Sequence, residues 1–204
     1  MHDATPGPAS TVWTIGHSNH PLDAFLDLLA RRRIDVVVDV RSSPYSRYAS
    51  QFNREAIGPA LVDRAIQYLF LGDLLGGRAE DPGFYDEQGH VLYGRQAQSP
   101  GFRQGIERLL RWIGQFRAAL LCGEEDPTNC HRRLLVGRVL QEQGVCVMHI
   151  RGDGRVQSEA EVAAEETFRK TKGQLSLFDT EEPGQWKSPA VAATHPPENR
   201  HLRP

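Results

Sequence analysis

The stretch Ile34-Asp35-Val36-Val37-Val38-Asp39-Val40 is β-branched at every position except its two aspartates. Such side chains lose rotamer freedom in a helix and pack well on a pleated surface, and a run that is apolar at odd and even positions alike suits a strand covered on both faces. A strand of that kind belongs to a parallel sheet between two layers of helices. It ends abruptly in polar residues, Arg41-Ser42-Ser43-Pro44.

The same reading extends outward in both directions. Upstream, residues 21–33 place Leu22, Phe25, Leu26, Leu28 and Leu29 at helical spacing, with Ser18 or Asn19 as a cap, and Val12-Trp13-Thr14-Ile15 reads as a short buried strand ending at Gly16-His17-Ser18. Downstream, residues 53–63 read as a helix despite Gly58-Pro59, residues 65–71 as a third strand, and residues 78–101 as a long surface excursion. Residues 102–116 form an amphipathic helical pattern, 118–122 a fourth strand, 130–143 a helix stopped by Gly144, and 145–150 a fifth strand. Strands alternating with helices predict βαβ units with right-handed crossovers. The expected fold is therefore α/β: a three-layer Rossmann-like or flavodoxin-like arrangement on a mostly parallel sheet, followed by a polar C-terminal tail.

The predicted organisation is a disordered N-terminus over 1–10, an α/β domain over 11–156, a helix over 157–172 with acids first and bases last, and a mostly disordered tail over 173–204. The 204 residues are 39% hydrophobic and 25% charged, with 24 basic against 26 acidic side chains, which fits one globular domain with a tail. No apolar run approaches the roughly 20 residues of a membrane-spanning helix, and the N-terminus shows no secretory pattern, so no membrane partner and a cytoplasmic location are expected. Three cysteines, Cys122, Cys130 and Cys146, argue against a disulfide framework. The lysines are Lys170, Lys172 and Lys187, so every cation upstream of these is an arginine. Codon bias explains that pattern as readily as anion recognition does. The near-neutral total argues against tight nonspecific binding of DNA by the chain alone, although not against a DNA substrate.

In open parallel sheets, ligands bind beyond the carboxyl ends of the strands. The polar clusters gather there: His17 and Ser18 after the first strand, Asp39, Arg41 and Ser43 after the second, Gly76-Gly77-Arg78 after the third, and Cys122, Glu124 and Asp126 after the fourth, followed by Cys130-His131-Arg132. His17 reads as a general base or ligand donor, or alternatively as a capping histidine. Asp39, flanked by valines, needs a partner such as Arg41 or His17, and serves either as an acid/base group or in a structural ion pair. Arg41, Arg47 and Arg132, with Ser18 and Ser43, are candidate anion-binding donors. Glu124 is a candidate general acid/base or nucleophile. Cys130 and His131 open a helix, where a thiol is activated as a nucleophile or simply packs. The Cys-x5-Arg phosphate loop of cysteine phosphatases is absent. Zinc ligation by Cys122, Cys130, His131 and Cys146 or His149 matches no usual spacing, so no metal is expected. Neither a dinucleotide loop nor a Walker A motif occurs, and no cofactor is expected.

Thr14-Ile15-Gly16-His17-Ser18, Asp39-Val40-Arg41 with Pro44 and Ser46-Arg47, Leu71-Gly72 with Gly76-Gly77, and Cys122-Gly123-Glu124 followed by Cys130-His131-Arg132 together resemble the family called domain of unknown function (DUF) 488. The likeness covers residues 12–150 approximately. It implies an α/β domain with His17, Asp39, Arg41, Glu124, Cys130, His131 and Arg132 at motif positions, and it supplies no reaction. In the tail, Gln174-Leu175-Ser176-Leu177-Phe178 resembles the peptide with which bacterial polymerases and repair proteins dock on the β sliding clamp, where Leu and Phe anchor in an apolar groove. The competing reading is a last strand with ordinary period-two patterning.

Together these features predict a DNA-maintenance or nucleotide-processing enzyme, a hydrolase or group-transfer catalyst acting on DNA or a nucleotide-like substrate and recruited by the β sliding clamp. The alternatives are a non-catalytic nucleotide or DNA-binding module, and a thiol-dependent enzyme using Cys130.

Overall fold

The computed structural model of the chain describes residues 10–171 and 186–189. The expected disordered N-terminus, apart from Ser10, and the clamp-like peptide at 174–178 lie outside the described residues, as do 190–204. Among the described residues no helix is long and apolar enough to cross a membrane.

The decisive valine run becomes a central strand. In chain order the strands are β1 (Thr11–Gly16), β2 (Val36–Asp39), β3 (Gln67–Phe70), β4 (Ala118–Cys122), β5 (Cys146–Ile150) and β6 (Val156–Ser158). They form one six-stranded sheet in the order β3-β2-β4-β1-β5-β6, parallel except for β6, which pairs antiparallel with β5. The helices are α1 (Leu22–Arg31), α2 (Arg54–Val62), α3 (Gly72–Leu75), α4 (Tyr93–Gln96), α5 (Pro100–Ile113), α6 (Arg138–Glu142) and α7 (Glu159–Lys170). The mostly parallel, three-layer α/β expectation is met. The strand order differs from the doubly wound orders 3-2-1-4-5-6 and 2-1-3-4-5, because β4 lies between β1 and β2.

Period-two alternation feeds both layers. In β2 and β4, Val36, Val38, Ala118 and Leu120 join the core beneath α3, α5 and α6, whereas Val37, Ala119 and Leu121 join the core beneath α1 and α2. This arrangement positions the site. β1 and β2 feed helices on one face and β4 feeds the opposite face, so the chain diverges where the carboxyl ends of β2, β4 and β1 lie side by side. Divergence of that kind opens the crevice in which α/β sheets take ligands.

Three differences from the sequence-based expectation stand out. The helix expected over 130–143 begins with a π-helical segment, Arg132–Gly137, before α6, and inserted turns of this type recur at functional sites. The helix expected over 157–172 is α7, preceded by the short strand β6; Ser158 caps it, and its hydroxyl and backbone N–H both pair with Glu161 as a capping box. Finally, residues 186–189, expected within a disordered tail, lie against the body. Trp186 Nε1 donates to Leu134 O at 2.8 Å, and the indole lies under Arg138 with the guanidinium carbon 4.2 Å from the ring centroid. Ser188 N donates to Val91 O, and Val91 N donates to Ser188 Oγ, both at 2.8 Å. A half-buried indole that packs its ring against the core and satisfies its N–H offsets part of the entropy of ordering this short stretch.

Candidate functional site

The site is built from three strand ends. β1 runs into His17 and Ser18, whose N–H groups donate to Cys122 O (3.0 Å) and Gly123 O (2.8 Å), so the ladder with β4 continues past both strands. This close approach requires glycine at position 16: a Cβ there would stand 1.7 Å from Glu124 O. His17 is thereby held against Phe52, ring centroids 4.4 Å apart. Its Nδ1–H donates to Ser18 O at 2.7 Å, and its Nε2 accepts from Arg41 Nη1 at 3.1 Å. A guanidinium has donors alone, so Nε2 must be the unprotonated nitrogen. Burial, and after it the Arg41 charge, pushes the His17 pKa down to about 4 against the pull of the Ser18 carbonyl. At neutral pH its lone pair is spent on orienting Arg41.

β2 delivers Asp39 and Arg41. The Asp39 carboxylate is fully buried and accepts four hydrogen bonds: Arg41 Nε at 2.9 Å, Arg41 Nη2 at 2.6 Å, the Arg41 backbone N–H at 3.1 Å and Tyr68 Oη at 2.7 Å. Burial, then the neighbouring Asp39 charge, raises the Tyr68 pKa, so the phenol remains a donor. Asp39 is thus saturated. Arg41 spends three of its five N–H groups on Asp39 and His17, and the other two take no partner among the described residues.

β4 and the segment after it carry the acid and thiol groups. Glu124 Oε2 accepts from Cys122 Sγ (3.0 Å) and Cys130 Sγ (3.2 Å), while its Oε1 takes no hydrogen bond among the described residues. His131 Nε2–H donates to Val40 O at 2.8 Å, leaving Nδ1 3.6 Å from Cys122 Sγ. The ring fits because residue 77 is glycine: a Cβ there would lie 2.5 Å from His131 Cγ. The two thiols split their acidity. Its hydrogen bond with Cys130 and burial push Cys122 well up; for Cys130, burial is outweighed by that hydrogen bond, the Arg132 charge and His131, which bring it well below the ordinary thiol range.

Together these groups border a cavity of about 520 Å³ at the carboxyl edge. Of the sequence-predicted residues, His17, Arg41, Ser43, Glu124 and His131 line it. Ser18, Asp39, Arg47, Cys130 and Arg132 do not, each for a local reason. Ser18 sits in the left-handed turn after β1 (φ 44°), and Asp39 is sealed beneath Arg41. The Arg47 guanidinium lies over the Tyr48 ring at 5.2 Å. Arg132, expected as an anion ligand, is fully buried and gives its donors to Glu124 O, Glu125 O (2.6 Å) and Thr14 Oγ1 (3.3 Å), where it braces the loop after β4. Cys130 is 1% exposed, whereas Cys122 reaches the wall. The thiol more easily ionised is therefore the one out of a substrate's reach, which weakens the thiol-nucleophile reading. Tyr45, 69% exposed, together with Arg78, Tyr93, Asn129 and Ser188, also contributes to the wall. Tyr45 was legible as an exposed aromatic in the loop after Arg41, but nothing in the sequence pointed to Tyr93 or Ser188.

A family described as domain of unknown function DUF488 matches residues 21–139, more than half of the chain. The chain belongs to that family. The DUF488 match takes in Asp39, Arg41, Glu124, Cys130 and His131, while the His17 turn lies just before its first residue. No curated protein and no solved structure matches the chain. The family description names no reaction, so the chemistry of this DUF488 member rests on the cavity itself.

Proposed function

We infer that this protein is an enzyme of DNA maintenance or nucleotide processing, a hydrolase or group-transfer catalyst that holds a nucleotide-like substrate in the cavity. One observation carries the reading: a carboxylate and a guanidinium, Glu124 with one oxygen and Arg41 with two N–H groups uncommitted among the described residues, border the same space of about 520 Å³. That volume falls within the roughly 300–1,000 Å³ of small-molecule sites. Arg41 and Arg78 suit phosphate oxygens, the hydroxyls of Ser42, Ser43 and Ser46 suit a sugar or phosphate edge, and the exposed face of Tyr45 suits a base.

Glu124 acts as general base towards water or as the nucleophile at the scissile bond. Arg41 faces the charge that develops on the substrate, where a preorganised donor outperforms bulk water. Asp39, Tyr68 and His17 set its position. The peptide Gln174-Leu175-Ser176-Leu177-Phe178 supplies the address by docking on the β sliding clamp; a tether raises effective concentration without new DNA contacts, which suits a chain of net charge -2.

Thermal unfolding with deoxynucleoside monophosphates and with inorganic phosphate tests the substrate class. A ligand at 100 times its Kd stabilises the fold by about 2.7 kcal/mol, and Glu124→Gln is expected to keep that stabilisation while losing turnover. If no monophosphate shifts either protein, the reading fails. If monophosphates bind and none of a panel of nucleotide substrates is turned over by the wild type, the chain is a binding module. Recruitment is tested by replacing Leu177 and Phe178 with Ala, and undiminished co-purification with the clamp refutes it.

A further inference from the structure

At the inner end of the cavity, three metal-ligating side chains converge from two rigid elements. Cys122 ends β4, and Cys130 and His131 lead into the π-helical turn; one ligand atom of each lies within 4.8 Å of the other two. Among the described residues this is the cluster of three or more such side chains compact enough to hold one ion. We propose that Cys122, Cys130 and His131 bind one Zn²⁺ through two thiolates and Nδ1, with the fourth position open to the cavity beside Glu124.

Four features carry this assignment. Zn–S and Zn–N bonds of about 2.3 and 2.0 Å at tetrahedral angles separate sulfur from nitrogen by roughly 3.5 Å, and Cys122 Sγ stands 3.6 Å from His131 Nδ1. The imidazole is oriented for metal, because Nε2–H is committed to Val40 O at 2.8 Å and Nδ1 is turned towards the sulfurs, where the ion would replace the proton that Nδ1 shares with Cys130 in the metal-free protein. That outer-shell hydrogen bond is the usual support of a ligating histidine. Gly77 leaves space for that ring orientation. Two thiolates and an imidazole also form a donor set soft enough to favour zinc over magnesium or calcium.

The ligand set differs from the one weighed on sequence alone. Cys146 opens β5 at the amino edge of the sheet, and His149 is committed to Thr14 Oγ1 (2.8 Å) and Glu159 (3.0 Å), so neither completes the site. Glu124 belongs outside the coordination shell. Its Oε2 lies 3.0 and 3.2 Å from the Cys122 and Cys130 sulfurs, yet the set of ligand atoms within 4.8 Å of one another is Cys122, Cys130 and His131 without it. The proposal rests on the hydrolytic reading above and gives it a nucleophile. A water bound at the fourth position loses a proton to Glu124, the resulting hydroxide forms the new bond to the substrate as the bond to the leaving group breaks, and Glu124 returns the proton to that group. The sum is substrate plus water giving two products, with no change of oxidation state.

The test uses the full chain, stripped with a chelator under reducing conditions and dialysed against Zn²⁺ and, separately, Co²⁺. Elemental analysis is expected to find one ion per chain, and Co²⁺ is expected to show thiolate charge-transfer bands with the intense visible bands of a tetrahedral site. Cys130→Ser and Cys130→Ala, each checked for native circular dichroism, are expected to weaken uptake by at least about 100-fold, beyond the loss typical of an outer-shell partner. Glu124→Gln is expected to retain one ion. No uptake by the reduced wild type, or uptake unchanged in folded Cys130 variants, overturns the site; loss of the ion in Glu124→Gln overturns the open fourth position. The two readings separate cleanly. Zinc bound without any nucleotide stabilisation upholds the site and sinks the substrate reading, and nucleotide stabilisation without metal uptake does the reverse.

Discussion

Replacing Asp39 with Ala tests whether the Arg41 guanidinium is held by design or by accident. Asp39 is fully buried and Arg41 is 6% exposed, so removing the carboxylate leaves a nearly dry cation that has lost two side-chain contacts of 2.6 and 2.9 Å. Breaking a buried pair by deleting one partner costs about 3–5 kcal/mol. The Tyr68 hydroxyl loses its acceptor as well, which moves the expected cost to the upper half of that range. Against a typical total stability of about 5–15 kcal/mol, a loss near 4 kcal/mol is large. With a urea m-value of about 2 kcal/mol/M the midpoint falls by roughly 2 M. The double replacement Asp39→Leu with Arg41→Met is expected to recover most of that stability, because apolar groups of similar volume substitute well for a buried ion pair, while abolishing stabilisation by monophosphates. Urea unfolding of the wild type, Asp39→Ala and the double variant, with and without a monophosphate, measures both effects. A single-mutant cost below about 1 kcal/mol, or a double variant no more stable than Asp39→Ala, would refute the view that Asp39 acts by positioning Arg41.

Three other perturbations follow from the same geometry. His17 is expected to titrate near pH 4 by NMR; because the unfolded chain takes up that proton first, with an ordinary pKa of 6.5, stability stays intact above about 6.5 and declines by up to about 3 kcal/mol as the pH falls towards 4. Titration near 6.5 in the folded protein contradicts the lone-pair contact with Arg41. Gly77→Ala forces a Cβ to within 2.5–2.9 Å of the His131 ring and is expected to lower stability by about 1–3 kcal/mol and displace the imidazole, so an unchanged melting temperature counts against the packing described. Trp186→Ala removes the hydrogen bond to Leu134 O and the stack with Arg138, a loss of about 1–3 kcal/mol in urea unfolding. A cost under about 0.5 kcal/mol would mean that the 186–189 stretch does not dock on the body.

The cavity was partly legible in the sequence because strand ends announce themselves. A β-branched run that stops at polar residues places those residues at the carboxyl edge, which located His17, Arg41, Ser43 and Glu124 beside the same space. Arg132 illustrates the limit of that inference. The arginine after Cys130-His131 has the chemistry of an anion ligand, yet it turns inward to the carbonyls of residues 124–125 and to Thr14. Side-chain direction in an irregular helical turn depends on which partners the rest of the fold supplies, and no local pattern encodes those partners. Tyr93 and Ser188 reach the cavity from a short helix and from a returning segment far along the chain, so their membership is entirely a matter of long-range packing.

Local periodicity by itself determined the layers of this protein: alternating apolar residues specify a sheet buried on both faces, and helical spacing specifies what covers it. Those rules act over a few residues and survive without knowledge of neighbours. Tertiary structure alone decided that β4 inserts between β1 and β2, and that Cys122, Cys130 and His131 face one another across less than 5 Å. Strand order depends on which edge each crossover returns to, and ligand geometry depends on the angle at which two elements meet. Both are settled by the packing of the whole core, which brings residues remote in sequence within contact distance.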